Sequence, residues 1–269
     1  NKIQLSAQGF WSSDLSHYGV TANSNAIRLE ELRPWLPAKQ SQKIADMAPQ
    51  GKPIIKTFKL DSQQWPPALS DIKKAHADLD LAQLSLGPWT QGPVKFTLDG
   101  SEEALYLTST PLRLAAQSAH IEWPLDLKLS HNDNQQWQLN ANLNQMSYNA
   151  ARVLTKKANE DGQLSCTFTP DSSGWALSFG NLTLPHIGVN FSGTVQAADN
   201  YQLQVSIPQL ELGHLGQAIP LLKRMELCGK VAVEETLTQA PGQPLDAQGV
   251  LNLSNCAISP THVIAPIHT

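Results

Sequence analysis

The sequence is poor in charge. Only 16% of its 269 residues are Asp, Glu, Lys or Arg, against about a quarter in ordinary soluble domains. The formal net charge is −4, and Lys and Arg form no basic run or stripe. That excludes a nucleic-acid partner, because a phosphate backbone needs a basic footprint. Long apolar runs are missing too: no stretch of about 18 apolar residues occurs, so no segment reads as a membrane-spanning helix. Catalytic signatures are also lacking. Gly51-Lys52 is followed by Pro53 and Gly229-Lys230 by Val231, so neither is a phosphate-binding P-loop. There is no G-x-S-x-G elbow and no H-E-x-x-H helix. The His residues are dispersed, and three cysteines without a C-x-x-C give no structural zinc site. The carboxylate pairs Glu102-Glu103 and Glu234-Glu235 place adjacent residues on opposite strand faces, so neither is an acid/base couple. The reading is a non-enzyme with no catalytic residues, no metal and no cofactor.

What the sequence does have is strict alternation, the mark of half-buried strands. Ile121, Trp123, Leu125, Leu127 and Leu129 share one face, opposite Glu122, Asp126 and Lys128. Trp137, Leu139, Ala141 and Leu143 alternate with Gln and Asn; Trp175, Leu177 and Phe179 follow, then Ile187, Val189 and Phe191. Tyr201, Leu203, Val205 and Ile207 alternate with Gln202, Gln204 and Ser206. Further strands read at 79–86, 94–98, 104–107 and 112–115. Turn residues such as Gly92-Pro93, Asp99-Gly100, Ser173-Gly174 and Asp199-Asn200 separate them. The fold class is all-β, mainly antiparallel, with a few short helices. An elongated curled sheet forming a β-groove is expected, with a β-sandwich as the alternative.

Two modules are expected: residues 1–148, with short helices near 29–47, and residues 149–269, with short helices near 149–159 and 214–224. They could form one continuous sheet. A weak internal repeat supports modularity: Leu29-x-x-Leu32 leads to Met47-x-x-x-Gly51-Lys52, and Leu212-x-x-Leu215 leads to Met225-x-x-x-Gly229-Lys230. Asn1 is not an initiator Met, so the chain reads as a mature product or an excised domain.

The last hairpin can be registered from its side chains. Centred on Gly242, it sets Val231 against Leu253, Val233 against Leu251, Lys230 against Ser254 and Leu227 against Ala257. That register brings Cys228 directly across from Cys256, a separation a disulfide bridges. A Cys228–Cys256 bond is expected in an oxidising compartment; the alternative is two reduced thiols on one strand pair.

The stretch Asn25–Leu36 (NAIRLEELRPWL), followed by Met47-Ala48-Pro49-Gln50-Gly51, resembles a pattern in the AsmA-like proteins of Gram-negative bacteria. Pro220-Leu221-Leu222, Gly229-Lys230-Val231-Ala232-Val233 and Gly249-Val250-Leu251-Asn252-Leu253 resemble that family's C-terminal repeat. The resemblance implies a periplasmic protein, held at the inner membrane in its full-length form by an anchor not seen in this sequence. It implies a curled sheet whose apolar groove carries phospholipid acyl chains towards the outer membrane. On that reading Ile121, Trp123, Leu125, Leu127, Trp137, Leu139, Leu143, Trp175, Leu177, Phe179, Val189, Phe191, Leu203 and Val205 line the groove. Phospholipid, or another acyl-chain ligand, and other envelope proteins are the partners. A scaffold role in an envelope secretion system and carbohydrate binding are the alternatives.

Overall fold

The computed structural model describes residues 4–12, 17–25, 50–63, 72–86, 89–116, 119–131, 136–150, 154–170, 174–185, 187–197, 200–214 and 225–260. The fold is all-β and antiparallel. The chain divides into two compact units, residues 1–135 and 136–269, so the division falls ahead of the expected 148/149.

The first unit holds ten strands: β1 (Leu5–Trp11), β2 (Tyr18–Ser24), β3 (Gln50–Ser62), β4 (Ile72–Leu86), β5 (Trp89–Gln91), β6 (Val94–Ser101), β7 (Ala104–Ser109), β8 (Leu112–Ala116), β9 (Ala119–Trp123) and β10 (Asp126–His131). Strands β1-β2-β3-β4-β6-β7-β10 form one antiparallel ladder. A branch, β5-β8-β9, continues from the far end of β4.

Proline makes this branch. Pro93 separates β5 from β6, Pro111 separates β7 from β8, and Pro124 separates β9 from β10. Proline has no N–H to give a ladder, and it interrupts a strand. The expected single run Ile121–Leu129 is therefore two strands. Hydroxyls fill in at the break: Lys95 N donates to Thr110 Oγ1 at 2.9 Å and Leu125 N donates to Ser109 Oγ at 3.0 Å. The expected turn at Asp99-Gly100 is also displaced. Both residues lie inside β6, where Gly100 pairs with Ala75 and with Leu105.

The second unit holds β11 (Trp137–Asn142), β12 (Ser147–Ala150), β13 (Leu154–Lys156), β14 (Gln163–Pro170), β15 (Trp175–Leu184), β16 (Ile187–Ala197), β17 (Asn200–Glu211), β18 (Met225–Gln239) and β19 (Asp246–Pro260). The ladder runs β11-β14-β15-β16-β17-β18-β19. Every pairing from β14–β15 to β18–β19 carries a register shift. Such bulges bend a strand and deepen its twist, which curls the sheet.

The helix expected at 149–159 is instead the hairpin β12–β13, with Tyr148 opposite Lys156 and Asn149 opposite Thr155. Helix propensity is a weak prior that tertiary pairing overrides. Here the tertiary element is Lys156, only 3% exposed. Its Nζ donates to the carbonyls of Met146 (2.9 Å), Glu160 (2.8 Å), Lys157 (3.2 Å) and Asn144 (3.4 Å). Residues 212–214 are helical; beyond Gly213 and His214 the helix expected near 214–224, like the one near 29–47, lies outside the described residues.

Few of the described residues are deeply buried. The buried apolar residues include Tyr18, Leu81, Val94, Leu143, Cys166, Leu210 and Val231, and valine is the largest side chain with under 2% exposure among the described residues. A sheet folded over a thick closed core would hide Leu and Phe as completely. These sheets bury their apolar faces only in part.

Candidate functional site: the apolar sheet faces

Cross-strand register converts the alternation into surfaces. In the first unit one row crosses seven strands as Ala7, Ala22, Phe58, Ala77, Leu98, Leu107 and Leu127. Its neighbour reads Gly9, Val20, Leu60, Ala75, Gly100, Leu105 and Leu129. In the second unit a row crosses seven strands as Trp137, Phe168, Leu177, Gly193, Leu203, Leu237 and Ala247. The next reads Leu139, Cys166, Gly180, Phe191, Val205, Glu235 and Gly249. Each unit thus carries an apolar face about 29 Å across, interrupted in the second unit by Glu235, at roughly 4.8 Å per strand.

Of the expected groove residues, Leu125 and Leu127 lie in the first unit, where Leu127 sits on its apolar face opposite Leu107. Ile121 and Trp123 lie on the branch, opposite Leu114 and Leu112. All four are half-buried. In the second unit Trp137, Leu139, Leu177, Val189, Phe191, Leu203 and Val205 share the apolar face and are half-buried. Leu143 is buried beyond the end of β11, where its N–H donates to Gly162 O at 2.8 Å. Trp175 pairs with Val195 on the apolar face but remains 46% exposed, with Phe168 edge-on at 5.1 Å.

Phe179 requires a correction. It pairs with Thr167, while its neighbour Gly180 pairs with Cys166 and Phe191. The shift between Thr167 and Phe168 and that between Leu177 and Gly180 move Phe179 out of step with Trp175 and Leu177. It stands on the polar face, 52% exposed. The ring of Phe191 covers Gly180, where an added Cβ would sit 2.1 Å from Phe191 Cε2. Register also reveals apolar-face residues absent from the expectation: Phe168, Leu237 and all of the first-unit rows except Leu127. They follow the same alternation but need the strand partners to be grouped.

The expected disulfide is corrected as well. Val231–Leu253, Val233–Leu251 and Lys230–Ser254 pair as read from sequence. Beyond them a bulge sets Gly229 against both Asn255 and Cys256, with φ of 105° at Gly229 and 52° at Asn255. Cys228 then pairs with Ala257, and Leu227 with Ile258 rather than Ala257. Cys228 and Cys256 are free and exposed, and Cys256 Sγ turns to Lys230 O at 3.6 Å and Ser254 O at 3.5 Å. Gly229 suits the site: a Cβ there would lie 2.6 Å from Asn255 O. Cys166 is buried, and burial raises its thiol pKa.

Strand β19 has a different character. Among the described residues it pairs with β18 alone. From Ala247 to Ala257 it carries no charged residue and is exposed throughout, with Val250 and Leu253 at 59% and Leu251 at 60%. Natural edge strands are usually blunted by charge, proline or bulges; here Asp246 and Pro260 at the two ends and the bulge at Asn255 play that part.

No set of His, Cys, Asp or Glu among the described residues converges to hold a metal ion, and no helix among them is long and apolar enough to cross a membrane. Comparison with protein-family models, curated proteins and solved structures finds no match to this chain.

Proposed function

We propose that this chain is a non-enzymatic, AsmA-like periplasmic protein whose apolar sheet faces shield phospholipid acyl chains on their way between the inner and outer membranes. The observation that carries the reading is the pair of seven-strand rows in each unit, apolar except for Glu235 and half-buried at most positions. Each acyl CH₂ laid against such a face gains about 0.8 kcal/mol over water. A face about 29 Å across accommodates a whole chain, which in a bilayer occupies half of the roughly 30 Å hydrocarbon core. The process requires no bond to be made or broken.

The test is delipidation and reloading. Native mass spectrometry of gently purified protein is expected to show bound phospholipid, and the delipidated protein to take up a fluorescent fatty acid. Leu203→Asp, in the middle of the second unit's row, is expected to abolish uptake there while far-UV circular dichroism is retained. Absence of both bound lipid and uptake refutes the reading.

The exposed edge of β19 favours a second reading, a scaffold of an envelope assembly that adds a partner's strand to this sheet. Stoichiometric capture of one protein, lost in Leu251→Lys and unaffected by delipidation, would favour it over lipid carriage.

A further inference from the structure

The polar face of the second unit is hollow. Strands β15 to β19 surround an open trough of about 500 Å³, within the usual size range of small-molecule sites. Residues 190 and 192, 204 and 206, 234 and 236, and 248 and 250 flank it in pairs. These are the positions that point away from Val189, Leu203 and Leu237, so the trough lies on the face opposite the apolar one.

Its chemistry is narrow. Ser192, Gln204, Ser206 and Thr236 supply neutral hydroxyl and amide groups, Glu234 supplies a carboxylate and Val250 an apolar side chain, while Glu235 belongs to the strand centre between them. No Lys or Arg lines it, which disfavours phosphate, sulfate or carboxylate ligands. The neighbouring polar groups are already engaged: Asn181 Nδ2 donates to Asn190 Oδ1 at 2.9 Å, and Gln248 Nε2 donates to Asp246 Oδ2 at 3.0 Å. Phe179 stands at one end of this polar lining with 52% of its surface in solvent. An aromatic ring on an amide- and hydroxyl-lined face offers a flat apolar platform beside hydrogen-bonding groups of both senses.

We infer that this trough binds a neutral oligosaccharide. A pyranose carries hydroxyls that both donate and accept, matching the Ser, Thr and Gln side chains, and a C–H face that stacks on Phe179. The Glu234 carboxylate accepts from ligand hydroxyls in charge-assisted bonds. Four strand spacings make the trough about 19 Å wide, enough for a short chain of sugar rings. The side chains that would hold the ligand point away from the proposed lipid surface, and Phe191, Val205, Glu235 and Gly249 of that surface's row form the floor between them.

The wild-type protein is titrated with cellotetraose, maltotetraose and chitotetraose, using calorimetry and saturation-transfer NMR. Saturable binding of at least one of them is expected, and the panel separates glucan from N-acetylglucosamine chains. Phe179→Ala is expected to weaken it about tenfold, equivalent to about 1.4 kcal/mol, and Phe179→Trp to preserve it. Because Phe179 is more than half exposed, both variants should fold, as checked by circular dichroism. No saturable binding by either method overturns the inference. So does binding that Phe179→Ala leaves unchanged, or equal binding of an uncharged extended peptide at the same residues.

Discussion

His76 Nδ1 lies 2.7 Å from Asp99 Oδ1, while its Nε2 lies 3.1 Å from Asp78 Oδ2. Thr97 Oγ1 donates to the other oxygen of Asp78 at 2.9 Å. The imidazole on β4 is thus held between a carboxylate on β6 and one on its own strand. Both ring nitrogens donate only when the ring is charged. Donating to Asp99, and then to Asp78, raises the His76 pKa above 6.5, and Thr97 and His76 lower that of Asp78. A raised folded-state pKa gives stability that is full below the unfolded value and lost as pH rises through the folded one. For Asp78 the order is reversed: its share is present above 3.8 and lost as pH falls through the folded value. An NMR titration is therefore expected to place the His76 midpoint above 6.5, and Asp99→Asn to lower it. The melting-temperature gap between wild type and Asp99→Asn should be wider at pH 5.5 than at pH 9. A gap that widens at pH 9 would contradict the assignment.

Lys156 locks the loops after β11 and β13. An ammonium has three hydrogens, and four backbone carbonyls surround this one. Burial, the largest cause, holds its pKa below the ordinary lysine value, with Glu160 and Asp161 opposing. Lys156→Met keeps the apolar stem but takes the ammonium from the part-buried carbonyls of Met146 and Glu160, while those of Asn144 and Lys157 keep the amides of Asn159 and Glu160 as donors. The cost is expected to be about 2–4 kcal/mol, since each orphaned polar group costs about 1–3 kcal/mol and some will find water. Hydrogen exchange should report it locally, as faster exchange of the Leu143 and Asn159 amides, which bond Gly162 O and Asn144 O at 2.8 Å.

The bulge at Gly229 makes the thiol chemistry predictable. Unreduced, denatured protein should yield three thiols by titration. In the native state the exposed Cys228 and Cys256 should react fast, and Cys166, 8% exposed with a raised pKa, slowly. Ala257→Cys would place a cysteine directly opposite Cys228, at a separation a disulfide spans. On oxidation that variant should titrate two thiols rather than four. Retention of all four would mean that the strands do not pair in this register.

The physical content of these sheets was unevenly legible in the sequence. Leu203, Val205 and Ile207 announce their shared face by alternation alone, because the side-chain period of a strand is a local property. The pairing of Val231 with Leu253 was likewise readable, because a short turn fixes a hairpin's register. Bulges were not readable: the extra residue at Asn255 is extra only relative to Gly229 on the other strand. The same blindness misplaced Phe179, whose face depends on where β15 meets β14 and β16. Residues 149–159 looked helical because Ala, Leu and Lys favour helix. The decisive fact, an ammonium buried among carbonyls, is a tertiary one. Pro124 was a local signal for the break after Trp123 that the surrounding alternation obscured.

The proline break in the first unit makes a last, residue-level prediction. Thr110 N donates to Lys95 O at 3.0 Å and Ser109 N to Leu125 O at 3.1 Å. Each bond has a reciprocal partner through a hydroxyl, Thr110 Oγ1 for the Lys95 amide and Ser109 Oγ for the Leu125 amide. The two hydroxyls do the same task in different surroundings. Leu125 is half-buried, whereas Lys95 is exposed. Water therefore replaces Thr110 Oγ1 readily and Ser109 Oγ poorly. Ser109→Ala is expected to cost about 1–2 kcal/mol, within the range for an orphaned buried donor. Thr110→Val should cost well under about 1 kcal/mol, the ordinary net worth of a hydrogen bond that water can remake. Exchange of the Leu125 amide should accelerate in Ser109→Ala, and that of the Lys95 amide should already be fast in wild type. If both variants cost the same, burial is not what distinguishes the two bonds, and the break is held by the strands on either side of it rather than by its hydroxyls.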